Sequence, residues 1–348
     1  MKLDRQTDQV YSFIKSAGEI LVVSHYSPDG DAIGSLLAFG GILEQMGKNH
    51  VLAIDDECHE KYRFMPGFEK IRNLEVDPLT KIFPKLVVLD AGSLSRTGSA
   101  GACVGENTEI LNIDHHLTGE LFGNINIVDH EACATAEILY ELCKKLELKI
   151  SKQIAYGIYV GILTDTGRFR FSNTSSQALY ICADLISKGV DPGKVVEQLF
   201  FNLSSKVLTS VAWGLSNISY YCDGLVSIIY LDSQHSGPDS ESLIDFGLSV
   251  EGVILSAFIT EKGNNEFKVS LRSRSDVNVG EIAKYFGGGG HRKASGYRIN
   301  GTYEETCAKL IDKFTHAISQ IDDTSNGKIQ AVDHNDNMHK TIFISERK

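Results

Sequence analysis

Glu19-Ile-Leu-Val-Val-Ser24, running into His25-Tyr-Ser-Pro-Asp29-Gly-Asp31-Ala-Ile-Gly34-Ser35, decides the fold. The first part is a short unbroken apolar run, the pattern of a strand buried on both faces. The second part is a turn rich in Ser, Pro, Asp and Gly. Asp31 to Met46 then has the apolar density of a helix, and Gly47 is placed to cap its end.

The same alternation extends along the chain. Residues 4–16 predict a helix, with Val10, Phe13 and Ile14 on one face. Buried strands are predicted at 51–54, 86–89 and 109–113, and helices at 134–147, 151–163 and 175–188. Such alternation argues for an α/β fold with a mostly parallel sheet and helices on both faces. Gly189 and Asp191-Pro192-Gly193 interrupt it. Beyond them, strand-like pieces at 217–222, 225–231, 252–259 and 266–272 crowd together, with helices near 278–286 and 303–320. That predicts a smaller α/β domain with a mixed sheet. The expected division is 1–188, a linker at 189–205, a second domain at 206–321, and a polar tail at 322–348. Thr341-Ile-Phe-Ile-Ser345 is the one strand-like piece of the tail.

A chain of 348 residues suits two domains. Its net charge of −11 argues against a basic coat for nucleic acid over the whole surface. It leaves room for a local basic pocket, or for metal ions that reverse the sign of an acidic site. The seven cysteines include no CxxC pair, which reads as reduced thiols in a cytoplasmic protein. No apolar run approaches the ~20 residues of a membrane helix, and the first ten residues lack the apolar core of a signal peptide.

Four clusters carry the chemistry, and each falls where a predicted element ends. They are His25 with Asp29 and Asp31; Asp90, closing Leu86–Leu89; Asp114-His115-His116, closing Ile110–Ile113; and Asp165, after Gly161–Thr164. Each alone reads as a cap or a polar turn. Together they point at one crevice, because parallel sheets build sites at the carboxyl ends of strands. Asp29, Asp31, Asp90 and Asp165 could not all ionise there without cations. Carboxylate and imidazole donors without thiolate suit manganese, and less distinctively magnesium, iron or zinc.

A fifth cluster is Gly287-Gly-Gly-Gly290-His291-Arg-Lys-Ala-Ser-Gly296. Consecutive glycines cost backbone entropy, and a nest of N–H groups around an anion is one reason for them. Residues 262–298 hold eight basic and three acidic side chains. Arg272 and Arg274 alternate with Ser273 and Ser275, which places both arginines on one face of a strand. Neither a phosphate-loop motif nor a G-x-S-x-G elbow is present.

His-x3-Asp-x-Asp-x2-Gly-Ser, the strand-end Asp90, Asp-His-His and Asp165 resemble the DHH phosphoesterase superfamily. Gly-Gly-Gly-Gly-His-x2-Ala-Ser-Gly resembles the signature of its DHHA1 substrate domain. Length and the lack of added domains are similar to the nanoRNase/pAp phosphatase (Nrn-type) branch. The resemblance implies an active site in a cleft between the two domains. One metal would be held by His25, Asp29 and Asp90, and a second by Asp31, Asp90, His115 and Asp165. Asp114 would orient a histidine ligand, and His116 would meet the scissile phosphate. Gly288, Gly289, Gly290 and His291 would hold a phosphate, while Arg272 and Ser273 would contact the far end of the substrate.

The implied cofactors are two divalent ions, Mn2+ first, with Mg2+, Co2+, Fe2+ or Zn2+ as alternatives. The implied reaction is hydrolysis of short single-stranded RNA, roughly two to five nucleotides long, by a water activated between two metals. Removal of the 3′-phosphate of pAp would use the same site. Long duplex nucleic acid and membranes are not expected partners, and a homodimer is left open. Linear or cyclic di-adenylate is the alternative substrate, and a non-catalytic nucleotide-binding regulator the alternative class.

Overall fold

The computed structural model describes residues 2–116, 120–235, 243–263 and 265–324. The expected tail strand at 341–345 lies outside the described residues. The chain forms two compact units, Met1–Asn202 and Leu203–Lys348. Among the described residues, no helix is long and apolar enough to cross a membrane.

The first unit runs α1 (Lys2–Ser16), β1 (Glu19–Val23), α2 (Gly30–Gln45), β2 (Asn49–Ile54), β3 (Ile71–Asn73), β4 (Lys85–Leu89), β5 (Glu109–Asp114), β6 (Ile125–Val128), α3 (Thr135–Lys145), α4 (Lys152–Asp165), α5 (Ser176–Ser187) and α6 (Pro192–Val196). Its six strands are all parallel, in the order β3-β2-β1-β4-β5-β6. The order reverses between β1 and β4, and a crevice opens beyond the strands at such a reversal. Alternate residues face opposite layers. Ile20, Val22, Val87 and Leu89 pack under the α-helices. Leu21, Val23, Leu86 and Val88 pack with Ala100 and Cys103 of a 3₁₀ segment, Leu94–Cys103.

Helix α2 is buried from Gly30 through Leu43, because the sheet covers one side of it and α4 another. The α2–α4 contact is a backbone approach. A Cβ at Gly34 would stand 2.3 Å from the carbonyl oxygen of Gly157, and one at Gly161 would stand 2.5 Å from Asp31 Oδ1. Gly30 lies equally close to Thr164, so the last turn of α4 reaches the first turn of α2. Gly34→Ala must push the helices apart, and is expected to cost about 1–3 kcal/mol of stability. Chemical denaturation measures this, and an unchanged midpoint with an unchanged slope would contradict the tight approach.

The second unit holds α7 (Ser205–Ser216), β7 (Ser219–Tyr221), β8 (Val226–Leu231), α8 (Leu243–Ser249), β9 (Leu255–Gly263), β10 (Glu266–Ser273), α9 (Val279–Tyr285), β11 (Gly289–Gly290), β12 (Ala294–Asn300) and α10 (Tyr303–Thr324). The sheet order is β11-β12-β10-β9-β8-β7. The sheet is mixed: β8 and β9 pair in parallel and the other neighbours antiparallel. Ile228, Leu255 and Val269 meet α9 and α10 on one face, and Ile229, Leu231 and Phe258 meet α8 on the other.

The glycine run is a paired strand, where the sequence suggests an anion nest. Gly289 and Gly290 pair with Gly296 and Ser295. A Cβ on Gly288 would stand 2.2 Å from the Gly296 carbonyl oxygen, and Gly290 has φ +135. The N–H groups of Gly287, Gly288 and His291 donate to Lys284, Ala283 and Ala294 carbonyls. Close packing therefore accounts for Gly288 and Gly290, while Gly289 faces open space.

Candidate metal and active site

The site of the first unit is built from strand ends and two helix ends. Ser24 Oγ donates to the Leu89 carbonyl at 2.7 Å and ties the end of β1 to the end of β4. His25 and Asp90 leave from these neighbouring ends. Asp29 is the N-cap of α2, its Oδ1 accepting from Asp31 N and Ala32 N at 3.0 Å each. Asp90 adopts φ +56, a left-handed conformation that Asp tolerates better than most residues.

Asp90 is the centre of the arrangement. Its Oδ2 lies 3.8 Å from His25 Nε2, and its Oδ1 lies 3.5 Å from His115 Nε2. His25 Nε2 is also 3.9 Å from Asp29 Oδ1. His115 Nε2 is 4.0 Å from Asp31 Oδ2 and 3.1 Å from Asp165 Oδ2. The structure thus brings together all six residues expected to bind metal. His25-Asp29-Asp90 and Asp31-Asp90-His115 each have ligand atoms within 4.8 Å of one another.

The carboxylates are buried against one another. Asp31 is wholly buried, and its pKa is raised to about 7, first by burial and then by the Asp165 charge. Asp90 is raised well above the usual carboxylate range, by burial and then by Asp31 and Asp29. Burial would lower the His115 pKa, but the Asp165 and Asp31 carboxylates outweigh it and push it up to about 10. Burial holds the His25 pKa below its ordinary value, against the pull of Asp29. This is a cluster short of positive charge.

The donor set fits divalent cations. Two donors about 2.1 Å from one ion, at tetrahedral or octahedral angles, lie roughly 3.0–3.4 Å apart. The observed 3.1–4.0 Å separations need only small side-chain adjustments. The Nδ1 of His25 donates to the Tyr26 carbonyl at 2.7 Å, and that of His115 faces the Ala132 carbonyl at 3.3 Å. These second contacts favour the tautomer whose Nε2 could accept a metal ion. No cysteine belongs to either cluster.

Asp114 differs from its expected role. Its side chain accepts from His116 Nδ1 at 2.7 Å, and from the main-chain N–H of His115 at 2.9 Å. It also accepts from Gly92 N at 3.1 Å. It therefore orients His116 rather than the ring of a histidine ligand. Burial would raise the Asp114 pKa, but the His116 hydrogen bond and charge lower it.

Thr135 is a contributor that the sequence reading missed. Its hydroxyl donates to Asp90 Oδ1 at 3.0 Å, while its N–H and that of Ala136 donate to Asp31 at 2.6 and 3.0 Å. A signal was present. Helix α3 starts after Ala134, which has no capping side chain, so its first N–H groups need an acceptor from elsewhere.

In the second unit, Arg272 is half-buried on β10, and its Nε is buried with no hydrogen-bond partner among the described residues. Arg274 lies beyond the strand end and is exposed. Ser273 is buried and donates to the Ser275 carbonyl. His291 follows β11 and brackets a two-residue turn with Ala294, each donating its N–H to the other's carbonyl. The Arg292 and Lys293 carbonyls accept from Val279 N and Ser273 N, which fixes the tip of that turn.

Comparison with known proteins gives the same reading. The pattern of the DHH family, N-terminal domain, matches residues 19–162, and that of the DHHA1 domain matches residues 225–321. The chain is 34% identical to the bifunctional oligoribonuclease and PAP phosphatase NrnA of Thermus thermophilus, over 86% of this chain and 91% of that one. It is 27% identical to the Bacillus subtilis protein of the same description, over 80% and 89%. Its fold is similar to the crystal structure of an exopolyphosphatase-related protein from Bacteroides fragilis, with TM-score 0.82 and 29% identity, covering 92% of this chain and 97% of that one. With both domain patterns in order and a relative matched along nearly its whole length, the chain belongs to the DHH/DHHA1 phosphoesterase family.

Proposed function

We propose that this phosphoesterase hydrolyses short oligoribonucleotides to mononucleotides and removes the 3′-phosphate of pAp. The observation that carries the reading is Asp90, whose two oxygens face two separate histidines. One carboxylate shared by two ligand sets is the hallmark of a paired-metal site. The descriptions of the relatives supply the substrate classes.

In this reading His25, Asp29 and Asp90 hold one divalent ion, and Asp31, Asp90, His115 and Asp165 hold the other, with Mn2+ as the preferred metal. When bound, the ions would neutralise the carboxylates and lower the pKa of a coordinated water. Asp114 holds the His116 ring through Nδ1, so that in its doubly protonated form the ring could donate its Nε2 proton to the reacting phosphate or to the leaving oxygen. Arg272, Ser273, Gly288, Gly289, Gly290 and His291 of the second unit bind the substrate. The unpartnered Nε of Arg272 supports its part, since a buried donor is costly unless something accepts from it.

The test is incubation of the Mn2+-loaded protein with pAp, di-, penta- and 24-mer RNA, and linear and cyclic di-adenylate. Release of mononucleotides from the short RNAs and of phosphate from pAp is expected. Turnover confined to di-adenylates would replace the substrate assignment. Binding without turnover of any of them would make the protein a regulator.

A further inference from the structure

Arg96 adjoins the turn that carries His25, and the reading above gives it no role. It lies in the 3₁₀ segment Leu94–Cys103. Its carbonyl accepts the N–H of Tyr26 at 2.9 Å, so its backbone is joined to the turn that carries His25. Two adjoining carboxylates past the end of β2 brace both stretches. Asp55 accepts the N–H and hydroxyl of Ser99 at 2.6 Å each, and Asp56 accepts those of Ser27 at 2.7 and 3.2 Å.

The side chain of Arg96 is half-buried. It is near enough for its charge to act on the buried imidazole of His25. Among the described residues its guanidinium makes no hydrogen bond or ion pair, although Asp29 and Asp90 both lie within 4 Å of His25 Nε2. A guanidinium near the His25 imidazole that pairs with no carboxylate among the described residues is available to an anion that arrives from outside. Its planar fork of donors matches two oxygens of a phosphoryl group.

We propose that Arg96 binds the non-bridging oxygens of the phosphoryl group under attack and stabilises the negative charge that grows on it. The inference rests on the phosphoesterase reading for its substrate, while the anion contact itself can be measured separately. Such a donor contributes on the order of 10²–10³-fold to turnover.

The experiment compares Mn2+-loaded wild type, Arg96→Gln and Arg96→Lys in three measurements: calorimetric binding of inorganic phosphate, kcat and KM on pAp, and bound manganese. For Arg96→Gln, phosphate affinity should weaken by about 10-fold or more and kcat should fall by about 10²–10³-fold, with manganese at the wild-type level. Arg96→Lys should recover part of the binding and less of the turnover, because an ammonium cannot reproduce the two-pronged contact. Wild-type phosphate affinity in Arg96→Gln would overturn the proposal, as would loss of manganese, which would make Arg96 a support for the His25 turn. If the wild type hydrolyses neither pAp nor RNA but Arg96→Gln still loses phosphate, the substrate reading fails and the anion contact stands.

Discussion

Replacing Asp90 with alanine is expected to lower turnover by on the order of 10³-fold or more, comparable to losing a principal electrostatic element of a site. Both clusters of donor groups share this carboxylate, so one substitution opens both. The Thr135 hydroxyl also loses its acceptor. Alanine adds strain at φ +56, which Asp tolerates better. Asp90→Asn separates the two effects, because asparagine keeps the shape and the left-handed tolerance but removes the charge. Both variants should lose bound metal and activity, and only the alanine variant should also lose stability in the metal-free state. Near-native rates with two ions bound would refute the bridging role.

Exhaustive chelation should abolish turnover, and Mn2+ should restore it. The buried carboxylates add a pH dependence whose sign is fixed. Asp31 holds its proton up to a pH of about 7 in the fold, against roughly 4 when unfolded. The folded metal-free protein therefore binds more protons than the unfolded chain between these values, and its stability falls as pH rises through that window. Asp90, raised in the same direction, adds to the fall. Metal must displace these protons and that of the His115 ring, so apparent metal affinity should climb with pH through 7 and on toward about 10. Thermal unfolding of metal-free and Mn2+-loaded protein at pH 5, 6 and 7.5 checks this. A metal-free protein that gains stability with pH would show that the carboxylates are not crowded. Turnover surviving chelation would refute the metal site itself.

The central strands β1, β2, β4 and β5 were legible because burial on both faces leaves unbroken apolar runs. The edge strands β3 and β6 were not, since they are three and four residues long and only partly buried. Strand β12 was hidden by Gly296 and the glycines before it, which read as a loop until paired with β11. Helix α8 depends on packing that no local pattern carries. The metal-site residues stood out because Asp and His at strand ends are few and point one way. Thr135 and Arg96 did not, for hydroxyl and guanidinium side chains occur throughout the chain and gain meaning only from their neighbours in space.

The glycine contact between α2 and α4 has a consequence for tuning. Asp31 rides on the first helix and Asp165 on the second, so the gap between the helices fixes the width of the ligand cage. Preferred oxygen distances differ between ions by only tenths of an ångström, from about 2.0–2.1 Å for Mg2+ to about 2.3–2.6 Å for Ca2+. A methyl group at Gly34, 2.3 Å from the Gly157 carbonyl oxygen, would have to move the helices by more than that. Under the proposed metal assignment, ion preference would be adjustable from residues that have no side chain and touch no metal, and a search for selectivity determinants confined to the aspartates and histidines would overlook them.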